Sequence, residues 1–257
     1  MKKVRLPLLA IASVFLAFNT HAQFADAIVE YSPGTGFTPG YTNARSVLGE
    51  PSRVTPGTYG GPVTPFSPAY LPSQLVSIGE GGSLTVKFDQ AVHNHPQNRF
   101  GIDFILFGNS GFIITNEFDL ATFNWVGTPA TDGSIFGGGE GRTVVSVSQD
   151  GANFYPLNPA AAPAVDAGLP TDGAGDFTVP ADPALTPADF AGLTEAEISA
   201  FYLGSAGGSG YDLATAQDAR GNRVRLQWIR YVRIQVLSGK VDVDGAAAVF
   251  NPPGKKG

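Results

Sequence analysis

The sequence contains no cysteine, one methionine and only three histidines. Without thiols the chain can form no disulfide, no thiolate metal site and no cysteine nucleophile. Charge is also scarce, at 15% of residues, with 22 acids against 16 bases and a formal net charge of −6. A weakly charged, acidic surface argues against nucleic acid and anionic lipid as partners. Long helices are excluded over most of the chain, because 33 glycines and 20 prolines interrupt it. There is no Gly-x-Ser-x-Gly elbow with a plausible triad order, so nucleophilic serine chemistry has no support. Apart from residues 6–18 no apolar run is long, and that run is too short for a membrane span of about 20 residues.

What is present begins with Lys2, Lys3 and Arg5, followed by the apolar run and by Asn19-Thr20-His21-Ala22. A basic start, a hydrophobic stretch and a small residue at the cleavage point describe a secretory signal over residues 1–22. Its removal takes three basic residues and makes the remaining chain more acidic. The expectation is an exported protein, periplasmic, secreted or associated with the cell surface. A domain of this kind lacking disulfides depends on its core or on a non-thiolate metal. Residues 23–250 read as one domain, since all-β sandwiches of about 200–250 residues are common and no linker divides them. Residues 251–257 read as a disordered tail.

The chain is organised around residues 99–112, Arg-Phe-Gly-Ile-Asp-Phe-Ile-Leu-Phe-Gly-Asn-Ser-Gly-Phe. Every residue from Phe104 to Phe107 is bulky and apolar, so a strand here buries both faces and lies in the middle of a layered structure. Other strands are expected over residues 24–31, over residues 84–88 with Leu84, Val86 and Phe88 on one face, and over residues 143–148. Asp150-Gly151 suits a two-residue hairpin turn leading into residues 154–157. The last strands fall in residues 224–236, with Val232, Ile234 and Val236 inward, and 241–243. Two capping signals, Thr186-Pro-Ala-Asp and Thr194-Glu-Ala-Glu, predict two short surface helices. Residues 51–72, 158–183 and 204–210 are loops rich in Gly, Pro, Ala and Asp.

Several carboxylates carry potential chemistry. Asp242 and Asp244 lie two apart in a strand pattern, which puts them on one face about 7 Å apart, either solvated or sharing a cation. Asp103, Glu140, Asp212 and Asp218 stand at strand ends or beside glycine loops, where carbonyl oxygens are also free. All-oxygen ligation suits calcium, and the expected ligands are Asp103, Glu140, Asp212, Asp242 and Asp244. His93 and His95 share a face of an extended segment, but with no third ligand nearby they read as an exposed turn. Tyr59 and Tyr70, with Phe66, sit in the 51–72 loop, and Tyr202 and Tyr211 flank the 204–210 loop. Rings on loops of this kind are a platform for stacking sugars or other flat ligands, or pack the loop onto its own sandwich.

Five pieces in order are Gly79-Glu-Gly-Gly-Ser-Leu-Thr-Val-Lys-Phe, Phe100-Gly-Ile-Asp-Phe-Ile-Leu-Phe-Gly-Asn, Val147-Ser-Gln-Asp-Gly-Ala-Asn-Phe, Tyr211-Asp-Leu-Ala with Val232-Arg-Ile, and Asp242-Val-Asp244. In these the chain resembles a large group of exported bacterial cell-surface proteins, many held by lipid or by C-terminal sorting tails. It departs from them at Ser209, where the group often carries an acid, and at Glu140, one position from the group's glutamate. The resemblance implies a jelly-roll-like sandwich similar to carbohydrate-binding and discoidin-type modules, with no known enzymatic activity. The reading is therefore all-β: an antiparallel jelly-roll-like β sandwich with long Gly/Pro-rich loops and one or two short surface helices. It is expected to act as a non-catalytic binding or surface-structural module, stabilised by calcium and recognising a glycan or other extracellular ligand. The rivals are a secreted polysaccharide hydrolase using paired carboxylates and a purely structural envelope or matrix protein.

Overall fold

The structure, a computed structural model, describes residues 23–138 and 140–249. The expected signal and the expected tail from 251 lie outside them. The chain is mostly β, and its strand pairings are antiparallel. Its strands are β1 (Ala25–Ser32), β2 (Val54–Thr55), β3 (Gly61–Pro62), β4 (Val76–Gly79), β5 (Ser83–His93), β6 (Phe104–Gly108), β7 (Gly111–Ile114) and β8 (Phe118–Asp119). There follow β9 (Asn124–Trp125), β10 (Thr131–Phe136), β11 (Arg142–Ser148), β12 (Tyr155–Pro156), β13 (Ser209–Tyr211), β14 (Trp228–Ser238) and β15 (Lys240–Ala248).

Two larger sheets carry the fold. One has the order β1-β5-β14-β11-β12 and the other β13-β6-β15-β4. Leu84, Val86 and Phe88 of β5, Val145 and Val147 of β11 and Val232, Ile234 and Val236 of β14 come from the first. They share one apolar cluster with Val76, Ile78, Phe104, Leu106, Val241, Val243 and Ala246 of the second. The period-2 pattern read in β5 and β14 is thus the face turned to the other sheet.

β6 is the strand the sequence marks most strongly, and all five of its residues are buried between β13 and β15. Phe104 and Leu106 enter the cluster between the sheets, while Ile105 and Phe107 enter a second one with Ile102, Phe177 and Ala206. Phe107 meets Phe177 edge-on at 5.0 Å, so the loop at 158–183 covers the outer face of this sheet. That cover is why β6 has no polar alternation. The two helices also form as their capping signals require: a 3-10 turn over Pro187–Phe190 and α1 over Glu195–Phe201, each with a reciprocal capping box.

Two local expectations differ. The Asp150-Gly151 turn is not a two-residue hairpin, since Val147 pairs with Tyr155 and the loop between them is longer. Asp150 accepts the backbone N–H groups of Ala152 and Asn153 and the amide of Asn153 instead, which holds its carboxyl far below the usual range. In addition, residues 111–136 form a hairpin in which β7 pairs with β10 and β8 with β9.

Candidate functional site

The five carboxylates expected to share a cation are divided among three places. Asp103 is 1% exposed. Its Oδ1 accepts from the N–H of His95 and the amide of Asn98, and its Oδ2 from the N–H of Leu213 at 2.8 Å. Burial pushes its carboxyl up to about 6, against the pull of those hydrogen bonds, and the charge of nearby Asp212 adds to the rise. Asp212 spends its Oδ1 on the N–H of Ala214, capping the 3-10 turn Leu213–Thr215.

Asp244 stands apart from both. β15 changes register between Val243 and Gly245, where it passes from β4 to β6. The extra residue breaks the alternation that would put Asp242 and Asp244 side by side. Asp244 is buried and accepts the N–H of Ser52 at 2.9 Å and its hydroxyl at 2.8 Å. Burial pushes this carboxyl, too, up to about 6.

Glu140 and Asp242 do come together. They line a cleft of about 310 Å³ with Asn109, Phe136, Gly137, Asp166, Lys240 and Val241. The sheet supplies Asp242 from β15 and Asn109 from the end of β6, the glycine-rich strap after β10 supplies Glu140, and the loop at 158–183 supplies Asp166. Oδ1 of Asp242 is buried and has no hydrogen-bond donor among the described residues. Lys240 stands 3.9 Å from Glu140 and donates to Thr38 Oγ1 at 3.1 Å. Phe136 is 45% exposed. Its ring lies over Gly111, its cross-strand partner, where a Cβ would collide with the ring edge. The chain thus presents a ring beside three carboxylates and an amide. Two glycines shape the strap: Gly239 has φ +72, and a Cβ there would run into the carbonyl of Glu140, while Gly141 lies against the carbonyl of Lys240. Among the described residues no group of three or more His, Cys, Asp or Glu side chains is arranged to hold a metal ion.

The four tyrosines also separate. Tyr59 is 93% exposed, and Tyr70, partly exposed, donates its hydroxyl to the carbonyl of Tyr59 at 3.0 Å. Tyr202 and Tyr211 are core residues and offer no ring face to a ligand. Tyr211 stacks on Phe104 at 5.0 Å and donates to the carbonyl of Pro163; Tyr202 donates to the carbonyl of Pro170. Burial raises both phenols above their usual range, with the charge of Asp166 adding to the rise at Tyr211 and that of Asp172 at Tyr202. A ring flanking a glycine loop can fill the space a glycine leaves, as Tyr202 does against Gly207. Phe136, Asn109 and Asp166 escaped the sequence reading. Phe136 and Asn109 carried a usable signal, a ring and an amide next to glycines, but Asp166 sits in a loop without periodicity.

Two other recesses lack this combination. One of about 320 Å³ is lined largely by Ala, Pro and Gly, and its Ser209 hydroxyl is already given to the carbonyl of Val165. The other, about 450 Å³, is an apolar groove along α1 bordered by Arg99. Among the described residues no helix is long and apolar enough to cross a membrane. No protein-family model matches the chain, and no curated protein matches it in sequence.

Proposed function

We propose that the protein is an exported, non-catalytic binding module that recognises a glycan in the cleft between Phe136 and Asp242. The two antiparallel sheets around one core support reading the fold as a jelly-roll-like sandwich. The observation that carries the function is the pairing, in one cleft, of a half-exposed ring with carboxylate and amide groups. A sugar presents an apolar C–H face and a rim of hydroxyls, so it needs one flat apolar partner and several acceptors close by. Asn109, whose amide makes no hydrogen bond among the described residues, supplies both a donor and an acceptor. The test is a glycan array with the purified protein, followed by titration of the retained sugar and analysis for cleavage products. Binding without turnover supports the module. Release of reducing ends would favour the hydrolase, and no retention of any glycan would favour a structural protein.

A calcium ion in the same cleft is the second reading, favoured by the buried, donorless Oδ1 of Asp242, with carbonyl oxygens and water completing its shell because no three acidic side chains of the described residues converge there. Asp103, Asp212 and Asp244 do not line this cleft and are then not its ligands. A melting temperature that falls in chelator and recovers with calcium supports this reading, and one that is indifferent to chelator removes it.

A further inference from the structure

The hairpin between β7 and β10 ends in an apolar tip that neither the two-sheet core nor the cleft uses. Leu120 is 81% exposed and Phe123 77%, with Val126 also exposed and Trp125 at 37%. Phe118 packs edge-on against Phe123 and Trp125 at 5.3 and 4.9 Å, which fixes the rings as one unit. β8 and β9 pair only with each other. Phe123 has φ 56, a left-handed conformation that glycine adopts freely and a phenylalanine does not. We propose that this tip inserts into the surface of an electrically neutral lipid bilayer.

Three observations favour a neutral bilayer over other occupants. Polar groups of the tip are satisfied internally: Asp119 accepts the N–H of Ala121 and the hydroxyl of Thr122, and the Asn116 amide donates to the carbonyls of Val126 and Thr128 while its oxygen accepts from Ala130. Leu120 and Phe123 can then enter the apolar layer while the Asp119 carboxylate stays at the hydrated headgroup level. Charge is the second observation. Residues 111–138 carry Glu117, Asp119 and Asp132 and no Lys, Arg or His, so an anionic surface repels the tip while a neutral one does not. Size is the third. A specific protein interface takes about 20–30 residues a side, more than this short hairpin offers, whereas anchoring at a bilayer surface takes a few apolar side chains. The exposures, high at Leu120 and Phe123 and lower at Trp125, match the preference of Leu and Phe for the acyl region and of Trp for the headgroup level.

The test is co-sedimentation of the purified chain from residue 23, which contains the whole described fold, with phosphatidylcholine vesicles, compared with Leu120→Ser/Phe123→Ser in the same chain. Leaving out residues 1–22 removes an apolar run that would hold both proteins on the vesicles. The expected result is at least a tenfold loss of vesicle binding in the variant, with unchanged melting temperature and glycan titration. Bromine-labelled lipid should quench tryptophan emission of the wild type, and Trp125→Phe should remove that quenching although Trp228 remains. Equal vesicle binding by wild type and variant overturns the proposal. So does loss of glycan binding or of self-association in the variant, either of which would assign the tip to a sugar or to a second copy of the chain.

Discussion

The carboxylate of Asp103 accepts the backbone N–H of Leu213 at 2.8 Å, joining positions 110 residues apart in a buried setting. The same carboxylate holds His95 and Asn98, so one side chain ties the entrance of β6 to the segment after β5 and to the turn after β13. Asp103→Ala deprives the Leu213 N–H of its acceptor and removes the bond from Asn98. An unmet buried donor costs about 1–3 kcal/mol, so an overall loss of about 2–4 kcal/mol is expected. Urea unfolding checks it, and a loss below about 1 kcal/mol would mean that solvent replaces the carboxylate.

Stability should rise as pH falls from 7 towards 5. Burial raises the Asp103 and Asp244 carboxyls to about 6 in the folded protein, against 3.8 for the ordinary group. Between those values the folded state binds more protons than the unfolded one, so acidification favours folding, and this contribution is lost as pH climbs through about 6. Carboxyls held below the usual range, Asp150 among them, act in the opposite sense only at still lower pH. Melting temperature against pH checks the sign. Asp244→Asn should reduce the slope between pH 5 and 7, and an unaltered slope would show that Asp244 does not titrate there.

Phe104→Ala should destabilise the protein by about 3–5 kcal/mol. The ring is fully buried between the sheets and stacks on Tyr211, so its removal leaves a cavity that neither sheet can close. A melting temperature within about 2 °C of the wild type would place β6 outside the cooperative core.

Gly239→Ala tests the strap. The position has φ +72 and a Cβ would meet the carbonyl of Glu140, so the β14–β15 turn and the cleft wall must both shift. A cost of at least about 1–2 kcal/mol is expected, together with weaker ligand binding. Gly81, whose φ is +73 with open space around it, should give a smaller loss when changed to Ala, and equal losses would mean that backbone conformation alone matters.

The parts of the fold legible in the sequence are those with a local cause. β6 announces itself through an unbroken apolar run between glycines, β5 and β14 through period-2 alternation, and α1 through Thr194 and Glu197. Long-range causes leave no such mark. Nothing near Asp244 signals that Ser52 will come to it, and the bulge that separates it from Asp242 arises where β15 changes partners. Asp103 reads as a charge in need of partners, and the N–H groups of His95, Asn98 and Leu213, which the sequence does not place beside it, supply them. Tyr202 and Tyr211 look like exposed rings because glycines flank them in sequence, yet Gly207 lets the backbone close against Tyr202 and Tyr211 stacks on Phe104. Phe136 gains its place only through Gly111 on the neighbouring strand.

The most direct test of the account is titration of a glycan retained on the array against wild type, Phe136→Ala and Asp242→Asn. Phe136 is half-exposed, so its loss should leave the melting temperature unchanged while weakening glycan binding at least tenfold. Asp242→Asn should weaken it as well, and no cleaved sugar should appear with any of the three. Both variants binding the glycan as tightly as the wild type would contradict the assignment of the cleft.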